Sequence, residues 1–182
     1  MDSRTGKRHS YYREFTEANL ARPVGVEMAL LDVIQSSFAD YFRVRVQQKV
    51  HELIEPLSTE QLWKRPFPYG NSIGNLILHI TGNLSYYIGA QIAENGYIRH
   101  RDLEFSDSGK PKGELLKGFD EAIAIAVRAF AAQSSRDWSA PFHAEFADGS
   151  TRFAQVLACA GHAHHHVGQI IYLQRELLRV RH

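Results

Sequence analysis

The chain has 182 residues, 44% of them hydrophobic and 11% aromatic, which is enough apolar content to bury the core of one domain. Lys and Arg number 21 against 20 Asp and Glu, a formal charge of +1, and no basic run interleaved with aromatics offers a footprint for nucleic acid. The one cysteine, Cys159, excludes an intramolecular disulfide framework and any Cys-x-x-Cys pair.

Residues 1–22 are polar, without a sustained apolar period, and read as an N-terminal arm. They carry no signal-peptide core, and no apolar run reaches the roughly 18 residues that cross a bilayer. The expected location is therefore cytoplasmic, with no membrane partner, and residues 23–182 are expected to form a single domain.

From Val24 to about Leu57, apolar residues recur at three- and four-residue steps through Val26, Leu30, Val33, Ile34, Phe38, Phe42, Val46, Val50 and Ile54, which predicts a long amphipathic helix. Ser58 can cap a short turn before Pro66, Pro68 and Gly70 interrupt it. Ser72 can cap a second long helix that carries His79 and runs to Gly96, a glycine suited to a left-handed stop.

A charged stretch broken by Gly and Pro follows, and then the period of Leu115, Phe119, Ile123, Val127 and Phe130 predicts a third helix over 114–133. The Asp-Gly turn in "FHAEFADGSTRF" suggests a short hairpin before the last helix, which Ser150 or Thr151 can cap and which extends from about Arg152 to Leu178. Four long apolar-striped helices with no convincing sheet are best satisfied by packing on one another, so the expected fold is an all-α four-helix bundle.

The last helix holds the most informative stretch, "GHAHHHVGQ" (161–169), an interrupted histidine run flanked by apolar sequence. At about 100° per residue, His162 and His166 lie roughly 40° apart on one face and one turn apart in height, a spacing at which two imidazoles can close on one ion. His165 falls about 60° from His162, whereas His164 is roughly 160° away and must point elsewhere. Gln155, Cys159, Ile170, Leu173 and Leu177 share the sector of His166, so these ligands should face the bundle interior.

Burying imidazoles without partners costs about 1–3 kcal/mol each, and a third ligand should come from another helix. His79, surrounded by apolar residues at helical period, is the candidate, with Leu76, Gly82 and Asn83 on its face. Three histidines without a fourth protein ligand make an open site, the arrangement of catalytic zinc; imidazole suits nickel and iron as well. The chain has no His-Glu-x-x-His, since "HELIE" at His51 lacks the second histidine, and no Glu-x-x-His pair of the di-iron kind.

Together, "NSIGNLILHITGNL" and "HAHHHVGQIIYLQREL" resemble the DinB/YfiT-like superfamily of metal-dependent bundle proteins, over about residues 26–178. The resemblance implies a DinB-like bundle in which His79, His162 and His166 are the metal ligands and His165, Gly168 and Gln169 match the remainder of a His-x-x-His-His-x-Gly-Gln pattern. Val167 departs from it, standing where many relatives have arginine.

The implied activity is thiol-dependent S-transfer or related transferase or hydrolase chemistry on a small-molecule substrate. It would use a divalent metal (zinc, nickel or iron) and a low-molecular-weight thiol, in a homodimer. A non-catalytic metal-binding or structural dimeric bundle is the alternative. "FPYGN" and "DWSAPFHAEF" are the loops expected to shape specificity, with Trp63, Tyr69, Tyr86, Tyr87 and Trp138 as candidate lining residues; Cys159 and His165 are further candidates for a part in the chemistry.

Overall fold

The computed structural model describes residues 24–145, 147 and 149–179, with side chains from Ala29 onward; the N-terminal arm expected over residues 1–22 lies outside them. Among the described residues every regular element is helical. Four helices are long and three are short.

The first long helix runs without a break through α1 (Val24–Asp40), a π-helical stretch (Tyr41–Gln48) and α2 (Lys49–Ile54). Its periodic stripe does what the spacing predicts in the C-terminal half, where Phe42, Val46, Val50 and Ile54 are wholly buried. Each such side chain contributes about 1.5–3 kcal/mol on leaving water.

Two N-terminal turns of the same stripe behave differently. Leu30 and Val33 are 50% and 58% exposed, whereas Phe38, farther along the stripe, is buried against Phe130, Trp138 and Phe153.

Short helix α3 (Thr59–Trp63) starts at a capping box in which Ser58 Oγ accepts from Gln61 N and Gln61 Oε1 accepts from Ser58 N. α4 (Ile73–Leu84) starts in the same way, with Ser72 and Asn75 as the reciprocal pair, and its Ile73, Ile77 and Ile80 are fully buried. It continues as a second π-helical stretch, Ser85–Ala90, and stops earlier than Gly96. The last carbonyls are closed by Ala93 N to Ile88 O at 2.9 Å and Asn95 N to Gly89 O at 3.1 Å, a wrap that puts Glu94 as well as Gly96 at positive φ.

The charged stretch that follows contains α5 (Leu103–Ser106), packed against α4. α6 (Lys112–Ala132) and α8 (Arg152–Leu177) are the other two long helices, with α7 (Ser135–Ser139) between them. Thr151, one of the two expected caps, accepts from Ala154 N and starts α8.

The expected hairpin is not a pair of strands. Among the described residues it reduces to one antiparallel bridge, Pro141 to Thr151, with Phe142 N donating to Ser150 O and Arg152 N to Ala140 O. The ladder cannot extend there, because Pro141 has no N–H and Thr151 already serves as the cap of α8. Phe146 and Asp148 of the predicted turn lie outside the described residues.

α4 packs on both α6 and α8, so a face of α4 and a face of α8 are held against each other. Those are the two faces that carry the histidines.

Candidate metal centre

α8 brings His162 and His166 to one side, one turn apart, as helical arithmetic requires, and α4 places His79 opposite them. His79 Nε2 and His166 Nε2 each lie 3.1 Å from His162 Nε2, and no other described His, Cys, Asp or Glu joins these three in a cluster able to hold an ion. His79 is 6% exposed and the other two are half-buried.

The partners of the outer nitrogens decide what the inner ones can do. His79 Nδ1 donates to Glu104 Oε2 at 2.6 Å, and His166 Nδ1 donates to Gln169 Oε1 at 2.7 Å. A neutral imidazole with its proton on Nδ1 presents a lone pair at Nε2. Two lone pairs therefore point at His162 Nε2, which can donate to only one of them, while His162 Nδ1 is buried with no partner.

A cation resolves that arrangement. Nitrogens that share a tetrahedral ion at about 2.0–2.1 Å are about 3.3 Å apart, close to the separations here. Burial, reinforced by the neighbouring His166, His79, Arg99 and His165, pushes the His162 pKa down to about 3, and burial lowers that of His166, so both imidazoles are neutral at pH 7 and able to ligate.

Glu104, on α5, is the residue that the sequence reading missed. Burial by itself would raise its pKa, but the hydrogen bonds from His79 and Arg99 outweigh it and hold the carboxyl below the ordinary value. Arg99 grips it with Nε to Oε1 at 2.7 Å and Nη2 to Oε2 at 2.9 Å. Asn75, besides capping α4, donates Nδ2 to the carbonyls of Glu104 and Asp107 at 3.1 and 3.0 Å, tying the segment that bears the carboxylate to the helix that bears His79.

Gly82, one turn beyond His79, makes the approach feasible, because a Cβ there would overlap the Glu104 carboxylate. A glycine on a buried helix face beside a candidate ligand was the one signal in the sequence that something had to approach closely.

The remaining histidines are elsewhere. His164 sits by Tyr41, ring centroids 6.0 Å apart, on the side expected from its helical angle. His51 pairs with Asp120 at 2.8 Å, His100 and His143 are exposed, and His9 and His182 lie outside the described residues. His165 is exposed, and its Nε2 is 3.2 Å from Gln169 Nε2. Cys159 is buried in the core, its Sγ 3.6 Å from Gln155 Nε2, and is not a member of the cluster.

A cleft of about 510 Å³ borders the cluster through Gln169 and through Leu76, one turn before His79. Phe67, Tyr69 and Asn71 of "FPYGN" line this neighbouring cleft. Trp63 instead donates Nε1 to Lys110 O, Tyr87 is buried with its hydroxyl on Glu145 O, and Tyr86 packs against Tyr87 at the edge of the core. Trp138 of "DWSAPFHAEF" is core, 5.5 Å centroid to centroid from Phe38.

A match to the DinB superfamily spans residues 44–170, from the first long helix through the histidine run, and the chain belongs to that superfamily. A solved structure of a conserved protein from Enterococcus faecalis has a similar fold, with a TM-score of 0.65 over 79% of this chain and 96% of that chain. The two are 16% identical, so the likeness is one of fold. No protein with a curated description matches.

Among the described residues no helix is long and apolar enough to cross a membrane.

Proposed function

We propose that the protein is a metal-dependent enzyme acting on a small molecule, with His79, His162 and His166 as the ligands of a divalent ion. The observation that carries this reading is the convergence of three Nε2 atoms, two of which, on His79 and His166, have their protonation set from outside by Glu104 and Gln169. Three imidazoles leave further coordination positions free, the pattern of catalytic zinc. A bound ion supplies Lewis-acid activation of a water or a thiol.

The chain's own part is to orient and to exclude water. Glu104 and Gln169 hold the imidazoles of His79 and His166 in one tautomer, Phe105 packs on the His79 ring at 4.7 Å, and the cleft beside the cluster offers a place for substrate. The YfiT-like resemblance favours a low-molecular-weight thiol as nucleophile, hence S-transfer, with hydrolysis by activated water as the runner-up. Cys159 is too deeply buried to take that role.

Elemental analysis of untagged protein beside the His162→Ala variant tests the site. Close to one zinc, nickel or iron per chain, lost in the variant, is the expected result; no metal in either overturns the reading. Metal-loaded protein that turns over no thiol with alkylating electrophiles and no ester or amide would leave the non-catalytic, metal-binding bundle in its place.

Self-association of two copies has its own support in the exposed face that α1 and α8 share, where Val33 and Leu157 are 58% and 55% exposed beside an apolar groove of about 570 Å³. Light scattering should show a dimer that Val33→Glu disperses; a monomeric native protein sinks the idea.

A further inference from the structure

We infer that the cleft beside the histidines is a subsite for the uncharged aromatic part of a substrate, one that carries a hydrogen-bond acceptor. This deepens the metal-enzyme reading and rests on it, because the polar side of the cleft is assigned from His166 acting as a ligand through Nε2.

The apolar side comes from three elements. Phe67 and Tyr69, on the loop between α3 and α4, stack on each other with centroids 5.8 Å apart and planes 13° apart. Leu76 of α4 and Tyr172 and Leu173 of α8 complete it. Tyr69 and Tyr172 are 75% and 77% exposed, so two large rings face solvent at a cleft instead of packing on the core. Aromatic walls with unfilled faces suit a flat π-system, which stacks on them and covers them.

Charge narrows the ligand further. None of the residues around the cleft is Lys, Arg, Asp or Glu, so a carboxylate, phosphate or ammonium group placed there would lose its hydration without gaining a counter-ion. Among the polar groups at the cleft are two donors on the side of the histidines. Gln169 Oε1 is used by His166, and one Nε2 hydrogen of the same amide goes to His165 Nε2, which must then carry its proton on Nδ1. The second amide hydrogen of Gln169 and the Nδ1–H of His165 remain for a carbonyl or ether oxygen.

The orientation follows from the same contacts. Gln169 links the cleft to the cluster, so an acceptor held there sits at the end of the aromatic body nearer the metal ligands, and the ring extends toward Tyr69 and Tyr172. The reacting group would then be attached close to that acceptor, as in an aryl ketone, ester or α,β-unsaturated carbonyl.

Calorimetric titration tests this with two probes that share one ring system, 2-acetylnaphthalene, which is neutral with an acceptor, and 2-naphthoate, which is anionic. Each is titrated into zinc-loaded and chelator-stripped wild type, Tyr69→Ala/Tyr172→Ala, and Leu157→Ala as a control in the distant groove. Both tyrosines are solvent-exposed, so their loss leaves the core intact.

The ketone is expected to bind wild type at least about tenfold more tightly than the naphthoate, and the double tyrosine variant to lose about tenfold, with Leu157→Ala unchanged. Equal binding of the two probes, undiminished binding by the tyrosine variant, or no binding of the ketone overturns the subsite. Zinc content of the same samples separates the two readings. Zinc without ketone binding removes the subsite and keeps the metal centre, whereas tyrosine-dependent ketone binding by protein that takes up no zinc on loading removes the metal centre and keeps the aromatic wall.

Discussion

His79 Nδ1 and Glu104 Oε2 meet at 2.6 Å across 25 residues of chain, and this contact settles which nitrogen of the imidazole is left for an ion. The carboxylate is gripped by Arg99 and buried to 6% exposure, so it is a fixed acceptor. Glu104→Ala should weaken zinc affinity about 10–100-fold, the usual cost of losing such an outer partner. Glu104→Gln, which retains an oxygen acceptor but loses the charge facing Arg99, should cost less. Competition against a chromophoric chelator reads both, and unchanged affinity in Glu104→Ala would remove the positioning role.

Gly82 gives a second handle on the same contact. A methyl group at Gly82 overlaps the Glu104 carboxylate, so Gly82→Ala should lower both zinc affinity and melting temperature. Gly118→Ala on α6, where an added Cβ meets nothing within 4 Å, should instead stabilise by about 0.5–1 kcal/mol through helix propensity. Thermal melts of the pair compare the signs, and a stabilised Gly82→Ala protein contradicts the geometry.

Acid should destabilise the metal-stripped protein well above the ordinary carboxylate range. His162 has a folded pKa of about 3 against an ordinary value of 6.5, so between those pH values the unfolded chain binds a proton that the folded chain refuses. Stability from this group is fully present above pH 6.5 and declines as the pH falls toward 3. His166, also lowered, acts in the same direction. Melting temperatures of chelator-treated wild type from pH 8 to pH 4 should fall below 6.5, and His162→Leu should flatten the slope. Parallel curves for the two proteins would rule the mechanism out.

The pairing of His162 with His166 was legible because it depends on helix periodicity alone. One angular step fixes the relation of His162 to His166, and the apolar surroundings of His79 fix the face it shares with Leu76 and Gly82. Glu104 and Arg99 were not legible, since their place depends on the path of an irregular segment that Asn75 ties back to α4. Nor could the spacing of Leu30 and Val33 tell a core-facing stripe from an uncovered one, because a helix shows the same period whether its apolar face meets a neighbour or solvent.

That distinction predicts two different costs for residues the sequence treats alike. Phe42→Ala, at a wholly buried position in contact with Phe130, should cost about 3–5 kcal/mol. Val33→Ala, on the same helix and in the same stripe, should change the stability of the monomer by less than about 0.5 kcal/mol. Urea denaturation at low protein concentration measures both, and a large loss at Val33 would place it in the core.

The three histidines of the cluster are divided between distant parts of the chain, His79 lying 83 residues before His162. A cut at the exposed turn around Gly109 would leave His79, Glu104 and Arg99 on one fragment and His162 and His166 on the other. Neither piece could chelate an ion with the full set of nitrogens, so reassembly of the two halves would depend on the metal, and the bundle could serve as a split reporter whose complementation reads the free concentration of that ion.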